Sequence, residues 1–238
     1  MVRVYCDFDG TIAVQDVGSR MFRTYGGREA EETVREYLAG TINARECFVR
    51  ECQAVPHLTK EEFVAFVDQF ELDPGFAGFM DFCEAQHIPV TVVSDGFDLY
   101  VRRLLEANGF GRLMTFANHV EFSESEGRTR MVPSFPFRDA ECDQCANCKR
   151  NHLLALSADD DVIVYIGDGF SDRCPVRYAD VVFAKRGLKA YCQEQNITFH
   201  AYETFDDVRR RLATLLDEKK LKTRREALMA RRDVYKGG

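Results

Sequence analysis

The sequence predicts an α/β fold, a Rossmann-like parallel sheet core with an inserted small helical cap. Three observations carry that expectation. Short β-branched runs at 2–7, 88–94, 162–166 and 181–184 alternate with helical stretches, the pattern of βαβ units. The stretch 14–74 contains no convincing strand and shows helical periodicity instead. Asp and Gly recur where the β-branched runs end.

The elements follow in order. Val2–Asp7 reads as a buried strand entering a turn at Asp9-Gly10-Thr11. Within 14–74, apolar residues recur at helical spacing: Val17, Met21 and Phe22, then Val34, Tyr37 and Leu38, then Phe63, Phe66 and Val67. Thr59-Lys60-Glu61-Glu62 has a capping-box pattern, and Asp73-Pro74-Gly75 ends the block. So long a helical stretch between two strands reads as a cap domain at 14–74, leaving 1–13 and 75–238 as the core. A crossover elaborated with extra helices is the other reading. Ile88–Ser94 is the second strand, and Phe97–Ala107 the helix after it. Thr115–Phe122 and Arg130–Val132 read as a hairpin turning near Gly127. Val162–Ile166 and Val181–Ala184 complete the core strands, and Lys149 opens the helix before the former.

Composition bounds the function. The chain has 238 residues, 45% of them apolar and 30% charged, the balance of a globular protein. Nineteen Phe supply core bulk in the absence of Trp. No apolar run approaches the ~18 residues a membrane span needs, so no membrane partner is expected. The net charge of −7 is uneven: residues 209–238 carry 11 Lys and Arg against 4 Asp and Glu. The acidic body argues against nucleic acid as a partner. The basic tail reads as a solvated charged helix or a contact for an acidic partner. The N-terminal residues meet acid too early for an export signal, so a cytoplasmic location is expected, with the nine cysteines as reduced thiols.

Parallel sheets bind ligands at the carboxyl ends of their strands. Those ends here read Asp7-Phe8-Asp9-Gly10-Thr11, Ser94-Asp95-Gly96 and Gly167-Asp168-Gly169-Phe170-Ser171-Asp172. Like charges packed at one crest call for a cation, and hard carboxylate oxygens without histidine select Mg²⁺. Asp7 and Asp168 are the natural ligands. Asp7 and Asp9, two apart across a turn, suit attack on phosphorus by one carboxylate and proton transfer by the other. Any one of these pieces alone reads equally as a cap or a solvated loop; their joint occurrence, in order, does not.

These three stretches, together with Lys149, resemble the four motifs of the haloacid dehalogenase superfamily, and the cap resembles that of its phosphoserine-phosphatase-like members. The resemblance implies a phosphatase acting on a small phosphorylated metabolite. Asp7 would be the nucleophile and Asp9 the acid and base, its carbonyl also on Mg²⁺. Ser94, Asp95, Gly96 and Lys149 would hold the phosphoryl group. Asp168 would ligate Mg²⁺, and Asp172 would anchor the metal's waters or Lys149. The acid at Asp9 favours a phosphatase over a carbon–halogen hydrolase. Cys142-Asp143-Gln144-Cys145-Ala146-Asn147-Cys148 before Lys149, and Val182-Phe183-Ala184-Lys185 beyond it, resemble the superfamily's methionine-salvage phosphatases more narrowly. Gly169 departs from the Ser usual there and matches the phosphoserine-type form. A phospho-aspartate switch is the alternative of another class; it would lack the cap and the second acid.

Asp16 reads either as a selector of the substrate's organic part or as a helix N-cap. Cys142, Cys145 and Cys148 are spaced like zinc ligands but need a fourth; free thiols and a labile disulfide are the other readings.

Overall fold

The computed structural model describes residues 1–125 and 128–236. The expected turn at Gly127 lies outside them. The chain divides into two compact units. Met1–Ile12, Leu72–Val93 and Lys149–Gly238 form the first, and Ala13–Glu71 with Ser94–Cys148 the second. The second unit thus contains 94–148 as well as the helical stretch that the sequence sets apart at 14–74.

The first unit is built on strands β1 (Val2–Cys6), β5 (Val162–Gly167), β6 (Val181–Ala184) and β7 (His200–Ala201), together with β2 (Val90–Phe97) as far as Val93. They run in the order β2-β1-β5-β6-β7, and every pairing is parallel. Parallel strands need covering on both faces, which is why Val4, Tyr5 and Cys6 of β1 and Ile163 to Ile166 of β5 are all buried. The register Cys6↔Ile166 and Gly167↔Ala184 brings the ends of β1, β5 and β6 to one level. Helices α5 (Phe76–Ala85) and α9 (Phe205–Asp217) meet through aromatic side chains. The Phe76 and Phe79 rings each stand 5.0 Å from that of Phe205. Helices α7 (Lys149–Leu156), α8 (Arg186–Glu194) and α10 (Arg225–Lys236) complete the unit.

The tail is not simply solvated. Arg231 of α10 is buried, and its guanidinium donates to both carboxylate oxygens of Asp180 at 3.1 Å. Asp180 also accepts from the Ile163 backbone at 2.8 Å, so the tail is tied to the edge of β5.

The second unit holds helices α1 (Val17–Tyr25), α2 (Gly27–Leu38), α3 (Ala44–Ala54), α4 (Lys60–Val67) and α6 (Asp98–Ala107). The Thr59–Glu62 capping box forms as expected and opens α4. Strands β3 (Met114–Ser125) and β4 (Arg128–Ser134) pair antiparallel, longer than the sequence suggests. Phenylalanines tie these elements together: Phe48 of α3 lies 6.4 Å from Phe22 of α1 and 5.3 Å from Phe97. Phe63 of α4 meets Phe122 of β3 at 5.5 Å. Among the described residues, no helix is long and apolar enough to cross a membrane.

Candidate active site

The first unit gathers its charge beyond the ends of β1 and β5. Asp7 follows β1 directly, and its backbone N–H donates to the Ile166 carbonyl at 2.9 Å. That bond continues the sheet by one residue and fixes where the side chain starts. Lys149, the first residue of α7, points its ammonium into the same place. Its Nζ donates to Asp7 Oδ1 at 2.7 Å, Asp172 Oδ1 at 2.8 Å and Ser171 Oγ at 2.9 Å. An ammonium has three protons, and each here has an acceptor. Lys149 is 2% exposed, Asp7 4% and Asp172 0%, so these charges interact with little water between them.

Asp172 is the most heavily bonded of the acids. Its Oδ1 accepts from Tyr165 OH at 2.6 Å as well as from Lys149. Its Oδ2 accepts from the backbone N–H groups of Asp168 and Gly169, both at 2.9 Å. The loop after β5 is therefore wound around this carboxylate, which in turn orients Lys149. Gly167 makes the close approach possible: a Cβ there would lie 2.5 Å from Asp172 Oδ2.

Asp168 accepts from Arg186 Nη1 at 3.0 Å through Oδ2, and from Thr11 Oγ1 at 3.5 Å through Oδ1. Asp9 lies in the turn Phe8–Ile12, half-buried, two residues from Asp7. The next residue, Gly10, takes φ +70°, a conformation that side-chain-bearing residues rarely adopt. A Cβ on it would also overlap the Asp168 carboxylate and the Arg186 guanidinium.

Asp7, Asp168 and Asp172 each offer a carboxylate oxygen, and the three lie within 4.8 Å of one another. No other such group of acids, cysteines and histidines occurs among the described residues, so Cys142, Cys145 and Cys148 do not form one. Burial pushes the Asp7 carboxyl well above the usual range; Asp172 and Asp168 add to this and Lys149 opposes it. Asp168 is pushed up to about 6, again by burial first and then by Asp172, with Arg186 opposing. Both acids therefore hold their negative charge at a cost that a further cation would relieve. The donor set is oxygen only, which suits a hard divalent ion.

The remaining expected residues belong to the second unit. Ser94 is fully buried, and its Oγ accepts from the Gly96 N–H at 3.0 Å. Asp95 Oδ1 accepts from the Asn147 N–H at 2.8 Å, and Asn147 Nδ2 donates to the Ser94 carbonyl at 2.8 Å. The segment that ends at Cys148 is thus tethered to the Ser94-Asp95-Gly96 loop. Asp16 is exposed and caps α1, its Oδ1 accepting from the Ser19 N–H at 2.7 Å. Cys142 and Cys145 are half-buried, Cys148 is buried, and all nine cysteines are thiols.

Tyr165 and Arg186 are the residues that sequence reasoning missed. Tyr165 lies inside β5, where an aromatic residue reads as core. Arg186 follows β6 at φ +47°, with no pattern to announce it. Lys185 beside it stands 4.8 Å from the centre of the Tyr202 ring, a cation–π contact.

The acid–lysine cluster stands at the strand ends of a parallel sheet, and the comparisons identify its class. Residues 4–174 match the haloacid dehalogenase-like hydrolase family, and the chain belongs to it. It is a phosphatase. It is 30% identical over 220 residues to the 2-hydroxy-3-keto-5-methylthiopentenyl-1-phosphate phosphatase of Bacillus cereus, covering 92% of this chain and 99% of that one. The enzyme of that name from Bacillus anthracis is 30% identical over 221 residues, with the same coverage. Among solved structures, a phospho-aspartyl intermediate analogue of phosphoserine phosphatase matches with a TM-score of 0.65 at 18% identity, covering 85% of this chain and 94% of that one. A probable phosphoserine phosphatase from Vibrio cholerae matches at 0.64 and 16%, covering 93% and 67%. At those identities the structures show the shared fold.

Proposed function

We propose that the chain is a Mg²⁺-dependent phosphomonoester hydrolase that works through an aspartyl-phosphate at Asp7, with 2-hydroxy-3-keto-5-methylthiopentenyl-1-phosphate as its substrate. The observation that carries the chemistry is the Lys149 ammonium held between Asp7 and Asp172. An ammonium fixed there offsets charge at the attacking carboxylate and at the incoming phosphoryl oxygens without reorganising. The substrate rests on the relatives from Bacillus and the near-complete overlap of both chains.

Asp7 attacks phosphorus, and the ester oxygen leaves with a proton from Asp9. Asp9, now a carboxylate, takes a proton from water, and that water attacks the phosphorus of the acyl phosphate. Inorganic phosphate leaves and Asp7 is restored. Lys149 binds the phosphoryl oxygens, a role that the motif resemblance also assigns to Ser94, Asp95 and Gly96. Asp7, the Asp9 carbonyl and Asp168 would hold Mg²⁺, which would screen the charge between nucleophile and phosphate. Asp172 acts from behind: its oxygens are taken by Lys149, Tyr165 and two backbone N–H groups, so it fixes the ammonium and the loop that carries Asp168. We assign the helices at 14–74 the role of a cap and Asp16 that of a selector of the substrate's organic part.

A phosphoserine-type phosphatase is the second reading, favoured by Gly169 in the fourth motif. A phospho-aspartate switch would share the acidic crest but retain its phosphoryl group. Phosphate release with Mg²⁺ over a panel of small phosphomonoesters separates the three. Preference for the methylthio enol phosphate, lost in Asp7→Asn, supports the proposal. Preference for phosphoserine shifts the substrate, and a long-lived phosphoprotein without turnover overturns hydrolysis.

A further inference from the structure

Helices α1, α2 and α3 of the second unit line a cavity of about 260 Å³. Its walls are largely apolar: Phe22, Ala30, Val34 and Leu38. Ser19, Arg23, Glu31 and Arg35 line it too, none of them buried, and one further lining residue is both charged and buried. Glu51 of α3 is 5% exposed. Among the described residues its one hydrogen bond comes from the Cys47 thiol, at 3.6 Å, and no cation pairs with it. A thiol is a weak donor. Buried carboxylates are ordinarily paired with a cation or heavily hydrogen-bonded, because the charged form is otherwise strongly disfavoured. Burial pushes the Glu51 carboxyl up to about 8; the hydrogen bond from the Cys47 thiol opposes this, and the like charge of Asp16 adds a lesser upward push.

The other charged groups at the cavity lie at its exposed side. Arg23 comes from α1, and Glu31 and Arg35 from α2; all three are exposed. Arg35 lies 3.7 Å from Glu32. On α3, burial raises the Cys47 and Cys52 thiols well above their usual range, so both stay neutral. Glu51 is therefore the group here whose charge changes near neutral pH. A ligand with one positive charge gains from Glu51, and Phe22, Ala30, Val34 and Leu38 ask that the rest of it be apolar.

We propose that this cavity binds a small primary amine on a short apolar body, with Glu51 as its buried counter-charge. Binding replaces the proton on Glu51 by the ligand's ammonium, and that proton leaves to solvent. Affinity accordingly rises by about tenfold per pH unit up to about pH 8, then levels off. No turnover is involved, so the proposal stands or falls separately from the phosphatase reading.

Isothermal titration of the full chain with n-butylamine tests it, with n-butanol and butyrate as the neutral and anionic controls. Butylamine is expected to bind in the millimolar range, with proton release read from buffers of different ionisation enthalpy. Glu51→Gln keeps the shape and removes the charge, and is expected to weaken butylamine at least about tenfold. Val34→Phe fills the cavity while leaving Glu51 in place, and is expected to abolish binding; circular dichroism confirms that both variants are folded. The proposal is overturned if butylamine gives no binding, if butanol binds as well, or if Glu51→Gln binds butylamine unchanged.

Discussion

Lys149 Nζ stands 2.7 Å from Asp7 Oδ1, and both side chains are almost wholly withdrawn from water. A cation in that position does two things. It limits the repulsion that would otherwise neutralise Asp7, and it presents positive charge where a phosphoryl group would arrive. Lys149→Met keeps the length of the side chain and removes the charge. It is expected to lower kcat by about 10²- to 10³-fold, the scale of losing one preorganised electrostatic partner. Steady-state phosphate release measures it. Retention of wild-type kcat would show that the ammonium has no part in the chemistry.

Gly10 combines a left-handed backbone with a crowded neighbour, the Asp168 carboxylate. Gly10→Ala would cost about 1–2 kcal/mol from backbone conformation alone. It would also displace Asp168 or Arg186. The expected result is a modest fall in unfolding free energy and a much larger fall in turnover, because Asp168 moves. Equal proportional losses in the two would argue that the turn matters only for folding.

Arg231 and Asp180 form a buried, two-pronged ion pair that holds α10 to β5. Arg231→Gln leaves Asp180 buried with fewer donors, at an expected cost of about 3 kcal/mol. Urea unfolding reads this directly. Turnover at room temperature is expected to be unchanged, since the pair lies apart from the acid–lysine cluster. A loss of turnover with unaltered stability would give the tail a functional part.

Glu51 makes a prediction for stability against pH. Its carboxyl is raised from an ordinary 4.5 to about 8 in the folded chain, chiefly by burial. Between those values the native state holds a proton that the unfolded state has lost. The contribution is complete below the lower value, declines through the interval and is gone above the upper one. Wild-type unfolding free energy should therefore fall across that window more steeply than that of Glu51→Gln. Parallel pH profiles would show that Glu51 titrates normally.

Much of the site is visible in the sequence because it depends on position along the chain. Asp7 and Asp168 directly follow strands, and a β-branched run ending in an acid announces such a place. The Thr59–Glu62 box is equally local, and it opens α4 as written. Tyr165 and Arg186 depend on direction instead. The inward turn of a strand tyrosine toward Asp172, and a positive φ at Arg186, leave no mark on residue order. The grouping of 94–148 with 13–71 is a third case: it follows from contacts such as Phe48 with Phe97, far apart in the chain, that periodicity does not encode. Glu51 illustrates the same limit. Its helix, α3, is not among the periodic stretches evident in the sequence, and an acid on its buried side shows only once α1 and α2 pack against it.

The central claim is that Asp7 itself carries the phosphoryl group. Acid quenching during turnover, followed by peptide mapping by mass spectrometry, tests it most directly. One phosphoryl group is expected on the peptide containing Asp7, appearing within the first turnover, chased off by excess unlabelled substrate and missing in Asp7→Asn. Phosphate release at full rate with no modified Asp7 peptide, or with the label on another residue, would contradict it.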